Sequence, residues 1–393
     1  MRSVYILSAV RTPIGKYGGS LRDLSAPDMG VVVAQAALER AGIAPEEVGE
    51  VVFGQARQAG NGPNPGRQVA VRAGIPVRVP AYTVNQACAS GLKAIVLGYQ
   101  EIVLGNAHVV LAGGAEAMSR VPYFVDGARW GARLGHQPLV DGMYQDGFLC
   151  PLAKLVMGET AEVLAEQHHI TREEQDGYAL SSQQRARRAI ESRRFADEIV
   201  PVTVKDKKGD LQLTGDEHPR FDTTAASLAR LPPVFSMSGT VTAGNASGIT
   251  DGAAALILVS EERLKRCTLP PLARIVDHAT AGVDPRVMGI GPVPAVEKLS
   301  KKTGHRLEDF DIIELNEAFA AQVLACDREL HFDRERLNVN GGAIALGHPI
   351  GCTGARITVT LVHEMLKRRA RRGLATLCVS GGLGMALELE ACP

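Results

Sequence analysis

The chain reads as an α/β protein in five layers, α/β/α/β/α, and three observations predict it. One order of strands and helices occurs twice. Two of the helices are small or apolar on most faces. A stretch of different composition separates the two copies. Strands alternating with helices give parallel-rich sheets covered by helices. A helix apolar all round must lie buried between layers. Two such helices therefore form the middle layer, with a sheet on each side, and both present their N-termini to one central site.

The first copy opens with a strand at 4–10 and a helix at 26–41, with Ser25 and Asp28 as capping candidates and Gly42 as its stop. A strand at 48–53 follows, then Tyr82-Thr83-Val84-Asn85, and then a helix that begins at Cys88 and carries Ala94-Ile95-Val96-Leu97-Gly98. A strand at 108–111 runs into Gly113-Gly114. The second copy opens with a strand at 272–278 and a helix at 294–302 stopped by Gly304. It continues with Asp311-Ile312-Ile313-Glu314, Asn338-Val339-Asn340, a helix at 355–368 and a strand at 375–379 that reaches Gly381-Gly382. Thr83-Val84-Asn85 matches Asn338-Val339-Asn340, and the two Gly-Gly strand ends match in kind. The stretch 119–262 is richer in charge, with one helix at 171–191 opened by the capping box Thr171-Arg172-Glu173-Glu174. So long an insertion lids or lines a site. The division is 1–118 with 251–270 as an N-terminal half, 119–250 as a loop domain, and 271–393 as a C-terminal half.

Formal net charge is zero over 393 residues, which argues against nucleic acid as a partner. The cations between Lys367 and Arg372 fit a solvated helix end. Seven cysteines without paired spacing read as reduced thiols in a reducing compartment. No apolar run reaches transmembrane length, and residues 1–10 read as a strand rather than a targeting peptide. These features predict a cytoplasmic protein with no membrane insertion.

Three reactive groups stand in Gly- or Ala-rich settings. Cys88 lies in Asn85-Gln86-Ala87-Cys88-Ala89-Ser90-Gly91 at the first turn of a buried helix, where free N–H groups and the helix dipole favour thiolate. Taken alone, it would be an inert buried cysteine; the small neighbours, which let backbone approach a ligand, turn that reading. His348, in Gly347-His348-Pro349, is alone a loop histidine; beside a nucleophilic thiol it is a base. Cys378, in Cys378-Val379-Ser380-Gly381-Gly382, is alone a strand-end core residue. The Gly-rich loops at 239–248 and 341–347 lack the spacing of a dinucleotide fingerprint and the Lys-Ser/Thr of a P-loop. No Cys/His spacing suits a metal.

These segments resemble the thiolases, acyltransferases that act on coenzyme A thioesters, over essentially the whole chain. The resemblance rests on Arg11-Thr12-Pro13-Ile14-Gly15, the Cys88 loop and Gly239-Thr240-Val241-Thr242-Ala243-Gly244-Asn245-Ala246-Ser247-Gly248. Asn316-Glu317-Ala318-Phe319, the Gly341–Pro349 run and the Cys378 loop complete it. It implies Cys88 as acyl-carrying nucleophile, His348 as base, and Cys378 as the acid/base for the α-proton, with its pKa set near working pH. It also implies one oxyanion site from His348 and a water on Asn316, and a second from the backbone N–H groups of Cys88 and Ser380. Ser247 and Ala243 would touch the pantetheine arm, and Met157, Phe235, Ala318 and Phe319 would line its tunnel. Arg220 and Ser227 would lie near the nucleotide, although a solvated Arg220 is an equal reading. Coenzyme A is then a substrate with no tightly bound cofactor, the other substrates are acyl-CoAs, and the protein is a homodimer or homotetramer.

Two departures from the family pattern stand out. Ser380 replaces a commoner glycine, where a positive φ would cost serine more. Val156, before Met157-Gly158, replaces the histidine of acetoacetyl-specific members and makes the pocket more apolar. That favours longer 3-ketoacyl-CoAs, with a short-chain acetoacetyl enzyme as the alternative. Two other classes compete: an acyl-CoA-binding module without turnover, which needs none of the reactive set, and a decarboxylating ketoacyl synthase, which lacks the second cysteine.

Overall fold

The structure, a computed structural model, describes residues 2–206 and 209–392. The N-terminal half contains β1 (Val4–Arg11), α1 (Ala26–Ala41), β2 (Glu50–Gly54), α2 (Pro65–Arg72), β3 (Ala81–Val84), α3 (Ser90–Leu104) and β4 (Val109–Ala117). The intervening stretch contributes α4 (Met157–Gln167) and α5 (Arg172–Glu191), after which β5 (Thr250–Ser260) returns between β4 and β1. The C-terminal half consists of β6 (Ala273–Gly282), α6 (Pro292–Thr303), β7 (Ile312–Leu315), α7 (Ala320–Leu330), α8 (Ile350–Arg368), β8 (Arg372–Val379) and β9 (Leu383–Glu390).

The repeat is a repeat of topology. The N-terminal half has the order β3-β2-β4-β5-β1, with β2 parallel to β3 and β4 and the remaining pairs antiparallel. In the C-terminal half the order β7-β8-β9-β6 has the same directions. There a single parallel bridge, Ile313 to Leu337, stands where β3 stands in the first half. Asn338 completes that edge with its side chain: Oδ1 accepts from Leu315 N–H at 2.9 Å and Nδ2 donates to Leu315 O at 2.8 Å. At Asn338-Val339-Asn340, the match to Thr83-Val84-Asn85 in β3, an amide therefore mimics a strand partner. The halves join edge to edge, Val4 opposite Ile275 and Ile6 opposite Ala273, so the two sheets are one continuous ladder.

Helices α3 and α8 pack on each other between the half-sheets, and α1 with α2 and α6 with α7 cover the outer faces. The three largest bodies of the apolar core accordingly lie one between the half-sheets and one under each outer layer. The central helices touch at their first turns, where a Cβ on Gly354 would lie 2.3 Å from Leu92 N and one on Gly91 2.7 Å from Ala355 N. Only glycine permits that crossing.

Capping chemistry fixes the helix ends as read: Ser25 with Asp28 for α1, Thr171 with Glu174 for α5, and left-handed Gly42 and Gly304 as stops. Three details differ. Helix α8 begins at Ile350, five residues earlier than expected, capped by Pro349. Strand β4 runs through Gly113-Gly114 to Ala117, because a bare Gly114 lets α8 pass: a Cβ there would sit 2.3 Å from Gly351 O. Gly381 and Gly382, at φ 88° and 87°, instead turn the β8–β9 hairpin, so the two Gly-Gly pairs are not equivalent. The residues Ala87–Leu104 do reach the length and mean hydropathy (1.3) of a membrane span. They are the packed central helix, buried because it lies between two sheets.

Candidate active site

The two central helices bring their first turns to the floor of one cavity of about 530 Å³. Cys88 sits in a single helical turn, Ala87–Ala89, that runs into α3. Ala87 holds φ at 45°, a conformation that a residue with a Cβ keeps only under constraint. The constraint comes from side chains. Asn85 Oδ1 accepts from Ala87 N–H at 2.9 Å, and Ser90 Oγ accepts from Gln86 N–H at 2.9 Å while donating to Ala87 O at 2.7 Å. The backbone amide of Ser380, Arg57 and the amide of Cys88 itself all favour the thiolate of Cys88. Burial nevertheless pushes the thiol above its ordinary range, against the pull of the Ser380 amide and Arg57. The expectation of a resting thiolate is thus overturned: desolvation outweighs the helix start.

His348 enters from the other helix. Gly347 at φ 101° turns the chain into it, its N–H donates to Gly248 O at 3.0 Å, and Nδ1 lies 2.6 Å from Thr353 Oγ1. The Thr353 hydroxyl donates its own hydrogen to Pro349 O at 3.0 Å. It can therefore only accept from the ring, which assigns the proton to Nδ1. Nε2 is left as a lone pair, buried and without a protein partner. Burial, then Arg356 and Arg57, hold the imidazole at about 3, so it is neutral.

Cys378, near the end of β8, lines the same cavity and is 1% exposed. Burial pushes its thiol well up, and the neighbouring Cys88 and Cys326 add to this. The expectation of a pKa near working pH fails for the same reason as at Cys88, and the resting group is a proton-bearing thiol. Ser380 lines the cavity too, and its φ is not positive; the positive values fall on Gly381 and Gly382. The anticipated strain at Ser380 is absent because the hairpin puts its turn one residue later.

Asn316 follows β7 directly and is 1% exposed, yet neither amide atom has a partner in the protein. Buried polar groups are seldom left so. It lies outside the cavity lining, whereas Met157, Phe235, Ala243, Ser247, Ala318, Phe319 and Arg220 are all in it, together with Val156. Phe235 and Phe319 meet edge to face at 6.2 Å. Ser247 N–H donates to Ala318 O at 3.0 Å, tying the 239–248 loop to the loop after β7. Ser227 is not in this cavity. It lines an adjoining one of about 190 Å³ with Arg220 and Ala243, and its hydroxyl donates to Thr224 O at 2.8 Å.

Sequence reasoning missed three residues. Arg57 lines the cavity beside Cys88. Glu116, fully buried, accepts from the backbone N–H groups of Ala56, Arg57 and Gly351 at 3.0, 3.1 and 2.8 Å, clamping the two halves together. A lone carboxylate in a strand of Ala and Gly was the available signal. Thr353 had none, since one turn of helix geometry is needed to bring it back to His348.

Fold and site together define an acyltransferase of the doubled α/β class. The family models "Thiolase, N-terminal domain" and "Thiolase, C-terminal domain" match residues 4–262 and 269–391. An acetyl-CoA acetyltransferase of Pseudomonas aeruginosa is 53% identical over 390 residues, covering 99% of each chain. Among solved structures, the acetyl-CoA acetyltransferase of Bacillus anthracis superposes with a TM-score of 0.98 at 50% identity, covering 100% of this chain and 99% of its own. Human mitochondrial 3-ketoacyl-CoA thiolase in complex with CoA superposes at 0.96 with 45% identity, covering 100% and 98%. The chain belongs to the thiolase family.

Proposed function

We propose that this thiolase cleaves 3-ketoacyl-CoA with coenzyme A to acyl-CoA and acetyl-CoA, and runs the reverse condensation, through an acyl thioester on Cys88. The observation that carries the residue roles is the pairing of two protonated thiols with a neutral imidazole whose Nε2 is free. Cys88 Sγ attacks the 3-keto carbon as its proton passes to His348 Nε2. The C2–C3 bond breaks, and the acetyl-CoA enolate takes its proton from Cys378. His348 returns the first proton to Cys378. The thiol of a second coenzyme A then gives its proton to His348 and its sulfur to the acyl carbon. Cys88 leaves and recovers that proton, so every group is reset.

Each oxyanion has a donor set. The N–H groups of Cys88 and Ser380, which favour the thiolate of Cys88, would stabilise one. Protonated His348 and a water on the unpartnered Asn316 amide serve the other. Ser247, Ala243, Met157, Phe235, Ala318 and Phe319 would hold the pantetheine arm, with Arg220 and Ser227 at its nucleotide end. The N-terminal half (1–118 with 251–270), the loop domain (119–250) and the C-terminal half (271–393) would then supply nucleophile, tunnel and base.

Val156 lines the cavity and favours acyl chains beyond acetoacetyl. The name carried by the bacterial relatives favours the short-chain reading. A coenzyme A-dependent cleavage series from acetoacetyl-CoA to long-chain 3-ketoacyl-CoA separates them, and intact mass reports stoichiometric acylation of Cys88. Failure to acylate would leave the binding-module reading. We also propose a homodimer or homotetramer. The outer edge of β3 has no strand partner among the described residues, and Trp130 and Leu134 stand 81% and 95% exposed. Light scattering that returned a monomer mass would refute it.

A further inference from the structure

Beneath His348 and Asn316 lies a buried ion pair that the reaction scheme does not use. Arg356, on α8, is 1% exposed, and none of its three guanidinium nitrogens has a hydrogen-bond partner. Its nearest acid is Glu314, also 1% exposed, with Nη1 to Oε2 at 3.7 Å and Oε1 unpartnered. A pair so placed is a poor device for stability, because desolving both charges offsets their attraction.

Position gives it another use. Arg356 is three residues after Thr353, so the two share a helix face, and Thr353 Oγ1 lies 2.6 Å from His348 Nδ1. An arginine on a helix also projects back toward the N-terminus, here toward the active-site end of α8. Asn316 directly follows β7 and its N–H donates to Thr376 O at 3.0 Å, continuing the ladder, so alternation puts it on the same face as Glu314, two residues earlier, and β7 packs on α8. One side chain thus links the helix that carries the imidazole contact to the strand that carries the orphaned amide.

We propose that Arg356 is a positioning residue for acyl transfer: anchored on Glu314, it braces the Asn316 strand against α8 and keeps a fixed positive charge behind His348. The inference rests on the catalytic reading of His348 given above. That charge works against a second positive charge on the ring, in the same direction as burial, which is the larger cause. His348 faces two cations, Arg356 and Arg57. Arg356 in turn faces Glu314, Glu198, Arg11 and Cys352. Around Glu314, burial and the carboxylates Glu317, Glu198 and Glu364 push its carboxyl up to about 8 against the pull of Arg356. The acid therefore only partly cancels the guanidinium at neutral pH.

The test compares Arg356→Met with Arg356→Lys. Two readouts are followed: the acid limb of kcat/KM for coenzyme A-dependent cleavage, and protonation of ¹⁵N-labelled His348, whose signal is assigned by its loss in His348→Asn. Arg356→Met should move the limb and the onset of ring protonation up by about one pH unit, and kcat should fall more than KM rises. Arg356→Lys keeps the charge and should hold both near wild type, so it also serves if the Met variant does not fold. Unmoved protonation in Arg356→Met, or a Lys variant that shifts like Met, overturns the proposal and leaves Arg356 a packing residue. If wild type shows no cleavage while ring protonation still shifts, the coupling stands and the catalytic reading of His348 is what fails.

Discussion

The starts of the two central helices occupy equivalent places in a repeated fold and are finished in opposite ways. At the head of α3 the chain is held in an unusual backbone conformation at Ala87, kept there by Asn85 and Ser90, and the amides of Ser380 and Cys88 favour the thiolate of the sulfur it presents. At the head of α8 the backbone strain falls on Gly347, and the precision lies in the side chain, a ring pinned through Nδ1 by Thr353. A duplicated scaffold supplies two helix ends aimed at one point. Differentiating the first turn of each yields a group that gives up a proton and one that takes it. Burial makes both neutral at rest, Cys88 shifted up and His348 down to about 3, so charge appears only when a substrate arrives.

Breaking either end should cost most. Cys88→Ala removes the acyl acceptor and should lower coenzyme A-dependent cleavage by ~10⁵-fold; an unchanged melting temperature would show that the loss is chemical. His348→Asn should cost ~10³-fold, and the double variant should be little worse than Cys88→Ala, since the two act as one unit. Additive losses would mean that the two ends work separately. The resting protonation is checked without turnover. Alkylation of Cys88 by iodoacetamide should rise with pH only above the range of an ordinary cysteine, because the raised pKa keeps the thiol protonated longer. A rate already at its plateau at neutral pH would restore the resting thiolate.

Removing the pin sharpens the comparison at lower cost. Thr353→Val keeps the shape and deletes the acceptor for Nδ1–H, so the ring can present its proton to the cavity instead of a lone pair. We expect kcat to fall about tenfold with the fold intact, and Thr353→Ser to restore it. An unaffected kcat would show that the cavity itself selects the tautomer.

What was legible in the sequence is local. Cys88, His348 and Cys378 stand out because small residues and glycines flank them, and the capped ends of α1 and α5 are written in adjacent residues. The doubling was legible from element order, but its register was not. Gly113-Gly114 looked like Gly381-Gly382, yet one pair makes room for α8 and the other makes a hairpin turn. Asn338 looked like strand and works as a side-chain substitute for one. Clamps such as Glu116, which joins residues 56–57 to residue 351, leave no spacing to read. The protonation states misled because a helix start acts within a turn, whereas desolvation depends on everything packed around it.

The smallest effect concerns Ser380. Its contribution to the nucleophile end is a backbone amide that favours the Cys88 thiolate, and the hairpin places positive φ on Gly381 and Gly382 rather than on Ser380. Ser380→Gly should therefore leave kcat within about twofold, since the donor and the turn both survive. Because glycine gains freedom in the unfolded chain, the variant should lose about 0.5–1 kcal/mol of stability, read as a slightly lower denaturation midpoint. A large loss of kcat at unchanged stability would assign work to the hydroxyl of Ser380, a residue that lines the same cavity. The sulfur end would then depend on a side chain, as the imidazole end does on Thr353.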